Sequence, residues 1–523
     1  MTMITRKRSA LIAVVTAAAL LLAGCAGSGE AATGGDSVSS EPVAGGTLRV
    51  LEVVQPTGFD PVQVFSSTSM PITYTALYGQ FVIANEETGG YDCGLCESFT
   101  TSDGGATWDV VTREGMTFTD GTPFDAEALK YNWDRMKDPA LGSASAGVAS
   151  QIDDIEIVDA RTAKLHMVVP TPGLLGLMPI YALQWIASPT ALEQGQEAFN
   201  KNPIGAGPFV FESWTPGGTL KLARNEDYFG DPAYVDAIEV QGVTDNTQRL
   251  NALISGQADI ILNSDASTFV EAEAAGYTNV IDTFNGGIGF MFNTAKAPFD
   301  DVRARQAVAY ALDLQQLSDA VNKGNGSVPK TLFTKDSPFY EDIALQTYDP
   351  EKAQELFDEL ADEGKPVEFT YTVFPGTGPA YFDALQAQLA LYDNVTVTAD
   401  QRDSSEQGVV TTTGDYNLAS SSLAFVDPAS RLWGALSGDA NRTNYSRIDD
   451  PELNAALDAA LATTDLEEQK AQYKIVQERL AEVVPYVLFQ EYLNGATVTD
   501  QVHGVEIYGY TTPAAANIWL DQS

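Results

Sequence analysis

Short strands alternate with helices along most of this chain, and two predicted helix starts carry the same three residues. Asp349-Pro350-Glu351 and Asp450-Pro451-Glu452 each place an aspartate at the capping position and a proline at the first helical position. Apolar residues at helical spacing follow: Ala353, Leu356, Phe357 and Leu360 in one helix, and Leu453, Ala456, Leu457 and Ala460 in the other. The alternation predicts an α/β protein with more than one sheet.

A further helix is predicted to begin with Thr122 as its cap, because Pro123 then occupies the first position and Asp125 lies three residues after the cap. Residues 129, 133 and 136 give that helix one apolar face.

The charge of the chain excludes several partners. Its 523 residues carry a formal net charge of −42, and so acidic a body repels nucleic acid and anionic lipid. We therefore expect no nucleic-acid partner. His166 and His503 are the only histidines in the sequence, which leaves little material for a histidine-based metal site or catalytic triad. We expect no cofactor and no metal, nickel included.

The N-terminus has the pattern of a secretory signal. Three basic residues (6–8) precede an uncharged, largely apolar run over residues 10–23 that is too short for a comfortable membrane span. Leu22-Ala23-Gly24-Cys25 matches the lipobox of bacterial lipoproteins, which predicts a signal peptide over 1–24 and lipidation of Cys25 with acyl chains such as palmitate. Residues 25–44 are predicted to be a flexible tether. The alternative is an ordinary secreted protein with a chance cysteine.

Cys93 and Cys96 form an isolated C-x-x-C pair, for which a redox motif, half of a zinc site and a local disulfide are the three interpretations. Neither further zinc ligands nor a thioredoxin-like context accompanies the pair. In an oxidising, extracytoplasmic setting we favour a Cys93–Cys96 disulfide.

A series of stretches in order closely resembles the family 5 extracellular solute-binding proteins, the binding components of peptide, nickel and oligosaccharide ABC importers. The matching stretches are GGTLRVL, GFDPVQ, TWDVVTREGMTFTDGTPFDAEAL, NPIGAGPFVF, ISGQADI, FNTAKAPFDDVRARQAVAYALD, YDPEKAQELF and VVPYVLFQ. They extend from about residue 45 to about residue 510, so the resemblance covers nearly the whole mature chain.

The resemblance implies a two-lobed, periplasmic-binding-protein-like α/β fold (type II, cluster C-like) with an extra domain on the first lobe. The domains implied are a discontinuous domain I (45–79, 204–285 and 492–523), domain II (80–203) and domain III (286–491). The chain would cross between lobes near FNGGIGF and FQEYLNG, where Gly286, Gly287 and Gly495 suit a hinge.

The resemblance also implies the function. Such a protein would capture a small ligand, by family default an oligopeptide or dipeptide, in the cleft between its lobes and deliver it to permease and ATPase subunits. We expect a monomer without catalytic activity, lipid-anchored on the outer face of a bacterial cell membrane. A ligand sensor without transport is one alternative. A secreted hydrolase is another, although the sequence contains neither G-x-S-x-G nor H-E-x-x-H.

Peptide binders of the family carry a Trp and an Asp in a strand of domain III, and the Asp pairs with the α-ammonium of the peptide. Anchored on Asp427-Pro428, those positions are Ser421 and Ala424 in this chain. Because a buried ammonium without a carboxylate is costly, the usual capture of free peptides is in doubt.

The same stretch offers the hydroxyls of Ser420, Ser421 and Ser422 and the ring of Phe425, which suits a neutral ligand such as a sugar or a modified peptide. The alternative is a strand of small residues packed against a helix. Phe59 and Trp185 are further candidate ligand contacts by their place in the implied fold, and core packing is the alternative for both.

Overall fold

The computed structural model describes residues 41–64, 70–85, 90–403, 406–440, 444–463, 465–508 and 512–521. The predicted signal peptide, Cys25 and most of the predicted tether lie outside these residues. From Pro42 onward the described chain belongs to one compact unit.

Strands and helices alternate through the described residues. The strands are β1 (Thr47–Glu52), β2 (Val82–Asn85), β3 (Gly90–Cys93), β4 (Cys96–Thr100), β5 (Thr107–Thr112), β6 (Ile152–Ile157), β7 (Thr162–Met167), β8 (Phe209–Ser213), β9 (Leu220–Arg224), β10 (Ala237–Gly242), β11 (Ile260–Asn263), β12 (Thr278–Thr283), β13 (Ile288–Phe292), β14 (Val367–Val373), β15 (Val395–Gln401), β16 (Leu418–Ser422), β17 (Tyr486–Gln490), β18 (Leu493–Val498), β19 (Val502–His503), β20 (Ile507–Tyr508), β21 (Thr512–Pro513) and β22 (Trp519–Leu520). The α-helices are α1 (Pro71–Tyr78), α2 (Ala126–Met136), α3 (Ala146–Ala149), α4 (Leu174–Leu177), α5 (Pro189–Leu192), α6 (Gln196–Lys201), α7 (Asn246–Ile254), α8 (Ala266–Ala274), α9 (Val302–Ala311), α10 (Leu314–Val321), α11 (Pro350–Asp362), α12 (Gly378–Leu389), α13 (Gln407–Thr413), α14 (Pro428–Leu436), α15 (Pro451–Leu461) and α16 (Leu466–Val483).

The first lobe is built on a seven-stranded sheet and a four-stranded sheet. The seven strands lie in the order β12-β18-β11-β1-β10-β9-β8, and the four in the order β4-β5-β7-β6. One continuous hydrophobic core contains residues of both sheets, for example Leu48 and Val240 of the larger and Val110 and Leu165 of the smaller. The two sheets therefore form one body.

The second lobe is built on a five-stranded sheet in the order β15-β14-β16-β13-β17. Helices cover both of its faces, so alternate residues of a strand enter different cores. Phe290 and Phe489 belong to one core, whereas Met291 and Leu488 belong to the other. The predicted two-lobed α/β fold is confirmed, and the exact domain boundaries stay a prediction.

The two Asp-Pro-Glu helix starts are confirmed. The carboxylate of Asp349 accepts a hydrogen bond from the Lys352 amide (3.0 Å), and that of Asp450 accepts one from the Leu453 amide (2.9 Å). All eight residues of the two predicted apolar stripes are buried.

The predicted helix start at Thr122 is wrong. Helix α2 begins at Ala126, where the Asp125 carboxylate accepts a hydrogen bond from the Ala128 amide (3.0 Å). Thr122 instead donates its amide (2.9 Å) and hydroxyl (2.5 Å) to Asp120, which holds it in the preceding turn. The same side-chain chemistry that caps helices closes this turn.

Candidate functional site

The chain crosses between the lobes in two neighbouring segments. One joins β12 to β13 and the other joins β17 to β18. The Phe284 amide donates to the Tyr492 carbonyl (3.4 Å), and the two rings meet edge to face with centroids 5.0 Å apart. The two connections therefore run side by side, which is the arrangement that a hinge between two lobes requires.

The predicted hinge glycines occupy different surroundings. Gly286 lies in the first crossing at φ +72°, and a Cβ there would lie 2.1 Å from the Leu423 carbonyl oxygen, so only glycine fits. Gly287 follows it. Gly495 lies within β18, paired on both sides, where a Cβ would lie 2.5 Å from the Val280 carbonyl oxygen. The hinge role of the three glycines stays a prediction.

The loop after β16, which carries Ala424 and Phe425, is fastened to the first crossing. Asn285 and Phe425 exchange backbone hydrogen bonds of 3.0 Å each, and the Asn285 Nδ2 donates to the Val426 carbonyl (3.2 Å). A movement of the first crossing therefore displaces this loop as well. Ala424 is half-buried, whereas Phe425 is fully buried against Phe333, with ring centroids 5.4 Å apart.

The three serine side chains of β16 do not all lie on the same face of the sheet. Strand residues alternate between faces, so Ser420 and Ser422 share a face with Leu418, and Ser421 shares the opposite face with Ala419. Ser421 lies beside the phenol of Tyr486, whose pKa is raised to about 12 by burial. The three hydroxyls therefore lie on two faces of the sheet, and their contact with a ligand stays a prediction.

Phe59 and Trp185 are fully buried in this conformation. The Phe59 ring packs edge to face against Phe211 (5.8 Å) and Trp214 (5.1 Å), and the Trp185 ring packs against Tyr74 (5.6 Å). Both rings support the first lobe from within. Their contact with a ligand stays a prediction, because a packed ring meets a solute only if its surroundings move.

A buried ion pair fixes the loop that carries Phe59. The guanidinium of Arg135, on α2, donates two hydrogen bonds of 2.6 Å to Asp60, whose side chain is completely buried. Asn200 accepts hydrogen bonds from the amides of Phe59 (2.7 Å) and Asp60 (3.0 Å). This loop is therefore a rigid part of the first lobe.

Glu52 is a buried carboxyl at the end of β1, immediately before the same loop. Its two oxygens accept hydrogen bonds from the Thr73 amide (3.1 Å) and hydroxyl (2.6 Å) in the first turn of α1. Burial raises the pKa of Glu52 to about 7, although the Thr73 hydrogen bonds oppose the rise. Glu52 therefore changes charge near neutral pH.

A crevice of about 230 Å³ lies between the lobes. From the first lobe it is lined by Gly90, Tyr91, Pro172, Gly173, Leu175 and Gly176, and from the second by Phe339, Asp427, Pro428, Ala429, Gln469 and Tyr473. The Asp427-Pro428 pair that anchored the sequence comparison therefore lies at the junction of the lobes. Asp427 caps α14 by accepting a hydrogen bond from the Ala429 amide (2.9 Å).

Sequence reasoning missed Gln184 and Arg431. Gln184 has no exposed surface, and neither its Oε1 nor its Nε2 has a hydrogen-bond partner in the described structure. One signal was present, since a lone glutamine stands in the apolar run YALQWIA. Arg431 lies on α14, and no local pattern distinguishes it from other arginines.

The remaining predicted features concern cysteine and metal chemistry. The structure joins Cys93 to Cys96 in a disulfide. Over the described ranges, no three His, Cys, Asp or Glu side chains are grouped so that they could hold a metal ion. In that same part of the chain no helix has the length and apolar character needed to cross a membrane.

Comparison with known proteins gives consistent matches. Residues 91–443 match the family described as bacterial extracellular solute-binding proteins, family 5 Middle. Heme-binding protein A of Haemophilus influenzae is 24% identical over 94% of this chain and 95% of that protein. The glutathione-binding protein GsiB of Salmonella paratyphi A is 27% identical over 75% of this chain and 79% of its own.

A solved structure of the PBP AgaA from A. tumefaciens R10, in complex with agropinic acid, superposes with a TM-score of 0.73. The two sequences are 25% identical, and the match covers 91% of this chain and 99% of that one. The similarity therefore extends over both lobes.

Proposed function

The chain belongs to the family 5 extracellular solute-binding proteins, which serve ABC importers, and from this we propose that it captures a peptide or peptide-like solute between its lobes. The bound solute is then delivered to permease and ATPase subunits in the membrane. The protein works as a monomer and catalyses no reaction.

The paired crossing between the lobes is the observation that carries this proposal. Two adjacent connections allow the lobes to close on a solute, and the loop after β16 is fastened to one of them through Asn285 and Phe425. Closure driven by a solute requires contacts from both lobes at once. The crevice lined by residues of both lobes supports such contacts.

One of these relatives supports a peptide-like solute. GsiB is named for glutathione, a peptide, whereas heme-binding protein A and AgaA are named or solved with ligands of other kinds. A neutral solute such as a sugar is the second candidate, because Ala424 stands where the family's peptide binders carry an ammonium-binding Asp. The opposite orientations of Ser420 and Ser421 weaken that second candidate.

Binding without turnover is the test. The full chain, purified in detergent, is examined by native mass spectrometry, and the co-purified solute is released by denaturation and identified. One solute per protein, recovered chemically unchanged after incubation, supports the proposal. A solute converted to product during incubation contradicts it, as does the absence of bound solute after exposure to a peptide mixture. Glycan masses favour the second candidate.

We further propose that Cys25 carries the lipid anchor that holds the protein at the outer face of the cell membrane. Cys25→Ser removes the thiol that is lipidated, so the variant should leave the membrane fraction and accumulate with an unprocessed signal peptide. The double change Cys93→Ser and Cys96→Ser serves as the control, because it removes the two disulfide-bonded cysteines and leaves the lipobox intact. A Cys25→Ser variant that stays in the membrane fraction contradicts the anchor.

A further inference from the structure

Arg431 is one of the few arginines in the described part of the chain that no carboxylate neutralises. Its Nη2 donates one hydrogen bond to the Ser422 carbonyl (2.8 Å), and it makes no ion pair with any carboxylate among the described residues. The side chain is only partly buried. Among the described residues, most of its guanidinium donors therefore have no partner.

An unpaired arginine is unusual in this chain, which has 71 acidic and 29 basic residues. Arg49, Arg135, Arg303, Arg402 and Arg479 each contact a carboxylate at 3.1 Å or less. Arg249 and Arg305 lack a carboxylate, but both are almost completely buried and donate to backbone carbonyls. Arg431 belongs to neither group, and Arg113 of the first lobe is the comparable case.

The position of Arg431 is next to the junction of the lobes. It lies on the second turn of α14, and the residues that open this helix, Asp427 to Ala429, line the interlobe crevice. Its one partner, Ser422, ends β16 directly before the loop that is fastened to the crossing. The guanidinium also lies close enough to Tyr486 to oppose the rise in the pKa of that phenol.

Two charged side chains lie at this place. The Asp427 carboxylate lines the crevice and is engaged as the cap of α14, where it accepts a hydrogen bond from the Ala429 amide. Ala424 supplies no carboxylate for an ammonium group, whereas Arg431 offers a planar fork of N–H donors. Such a fork binds a carboxylate through two parallel hydrogen bonds, and partial burial strengthens the interaction.

We propose that Arg431 binds a carboxylate of the captured solute, so that the solutes of this protein are carboxylate-bearing and their anionic end lies against the start of α14. The inference rests on the proposed function and names its substrate class. It disfavours a neutral sugar.

The test uses a peptide mixture in two forms. Solute-free full-length protein is incubated with tryptone and with the same tryptone after methyl esterification, and the captured masses are read by native mass spectrometry. Wild type should capture species from the untreated mixture alone. For one captured peptide, Arg431→Gln should weaken binding by about 30-fold, the scale expected when one partner of a buried charge pair is lost.

Two further variants separate recognition from folding. Arg431→Lys keeps the charge without the fork, so it should bind more weakly than wild type and more tightly than Arg431→Gln. Arg113→Gln is the matched control, because Arg113 also lacks a carboxylate partner and donates to the Gly94 carbonyl (2.9 Å) on the first lobe. It should bind as wild type does, and circular dichroism should show all variants folded.

The outcomes distinguish this inference from the proposed function. Equal capture of esterified peptides, or wild-type affinity in Arg431→Gln, overturns the role of Arg431 while leaving peptide capture intact. If the Arg431→Gln variant does not fold, the role of Arg431 is tested by the capture of esterified peptides and by the affinity of Arg431→Lys. If wild type captures nothing from either mixture, the proposed function fails and the inference fails with it.

Discussion

At the scale of single residues, Gln184 is the clearest departure from ordinary packing. Both polar atoms of its amide are buried without a partner among the described residues, and each such group costs about 1–3 kcal/mol. Replacing it with a side chain of similar size and no polar atoms removes that cost.

Gln184→Leu should therefore raise the midpoint of thermal unfolding of the solute-free protein. Gln388→Leu is the matched control, because Gln388 is also buried but exchanges hydrogen bonds of 2.8 Å and 3.0 Å with the backbone of Asp313. The control should lower the midpoint, since it leaves two backbone groups unpaired. A midpoint that falls equally in both variants would show that Gln184 has a partner in the folded protein.

Glu52 gives the protein a pH-dependent stability. Burial raises its pKa to about 7 in the folded state, above the unfolded value, so its contribution is present below about pH 4.5 and is lost as pH rises through about 7. Urea unfolding at pH 5 and pH 8 should show that wild type loses about 3 kcal/mol more than Glu52→Gln. Parallel losses in the two proteins would contradict this assignment.

At the scale of secondary-structure elements, two helix caps of identical sequence are expected to differ in strength. Asp349 caps α11 through the Lys352 amide alone, whereas Asp450 caps α15 and also accepts hydrogen bonds of 3.1 Å and 2.6 Å from Arg479 on α16. Asp349→Ala should cost about 1 kcal/mol of unfolding free energy. Asp450→Ala should cost clearly more, because a partly buried arginine loses one of its carboxylate partners and keeps only the more exposed Glu482 and Glu452. Chemical denaturation of the two variants checks the order.

The same elements show what the sequence could predict. The Asp-Pro-Glu helices were predicted correctly because their signals are local. The cap and the proline lie within the first turn, and the apolar stripe lies on one face of the same helix. Thr122 misled the prediction because its cap-like pattern closes a turn on Asp120 instead. The opposite faces of Ser420 and Ser421 follow from the two-residue period of a strand, so this feature is predictable once β16 is recognised.

The burial of Gln184 and the lack of a carboxylate beside Arg431 among the described residues could not be predicted from neighbouring residues in the sequence. Both depend on which side chains the fold brings close from distant parts of the chain. No pattern of neighbouring residues records the absence of such a partner.

At the scale of the whole molecule, a polar contact joins the lobes away from the crevice. The Ser267 hydroxyl, on α8 of the first lobe, donates to the Asn322 carbonyl (3.0 Å) beyond α10 of the second lobe, and the Asn325 Nδ2 lies 3.5 Å from the same hydroxyl. Ser267 is 3% exposed. The contact therefore stabilises this arrangement of the lobes.

Ser267→Ala should shift the protein toward separated lobes and weaken solute binding by about 2- to 10-fold, which corresponds to one hydrogen bond. Small-angle X-ray scattering should then give a larger radius of gyration. Ser255→Ala is the control, because that hydroxyl bonds within its own lobe to the Ala252 carbonyl (3.2 Å). Unchanged scattering and affinity in Ser267→Ala would show that the contact does not govern closure.

The side-by-side crossings also determine which lobe carries a mechanical force applied to the end of the chain. Strand β1 lies inside the seven-stranded sheet, and residues near the C-terminus, such as Val502 and Ile518, belong to the core of the same lobe. Both ends of the described chain are therefore held by the first lobe, while the second is a loop-like insertion entered and left at one place. Tension applied at the N-terminal end is carried by the first lobe and does not pass through the hinge. Pulling at that end therefore reorients the whole molecule without separating its lobes.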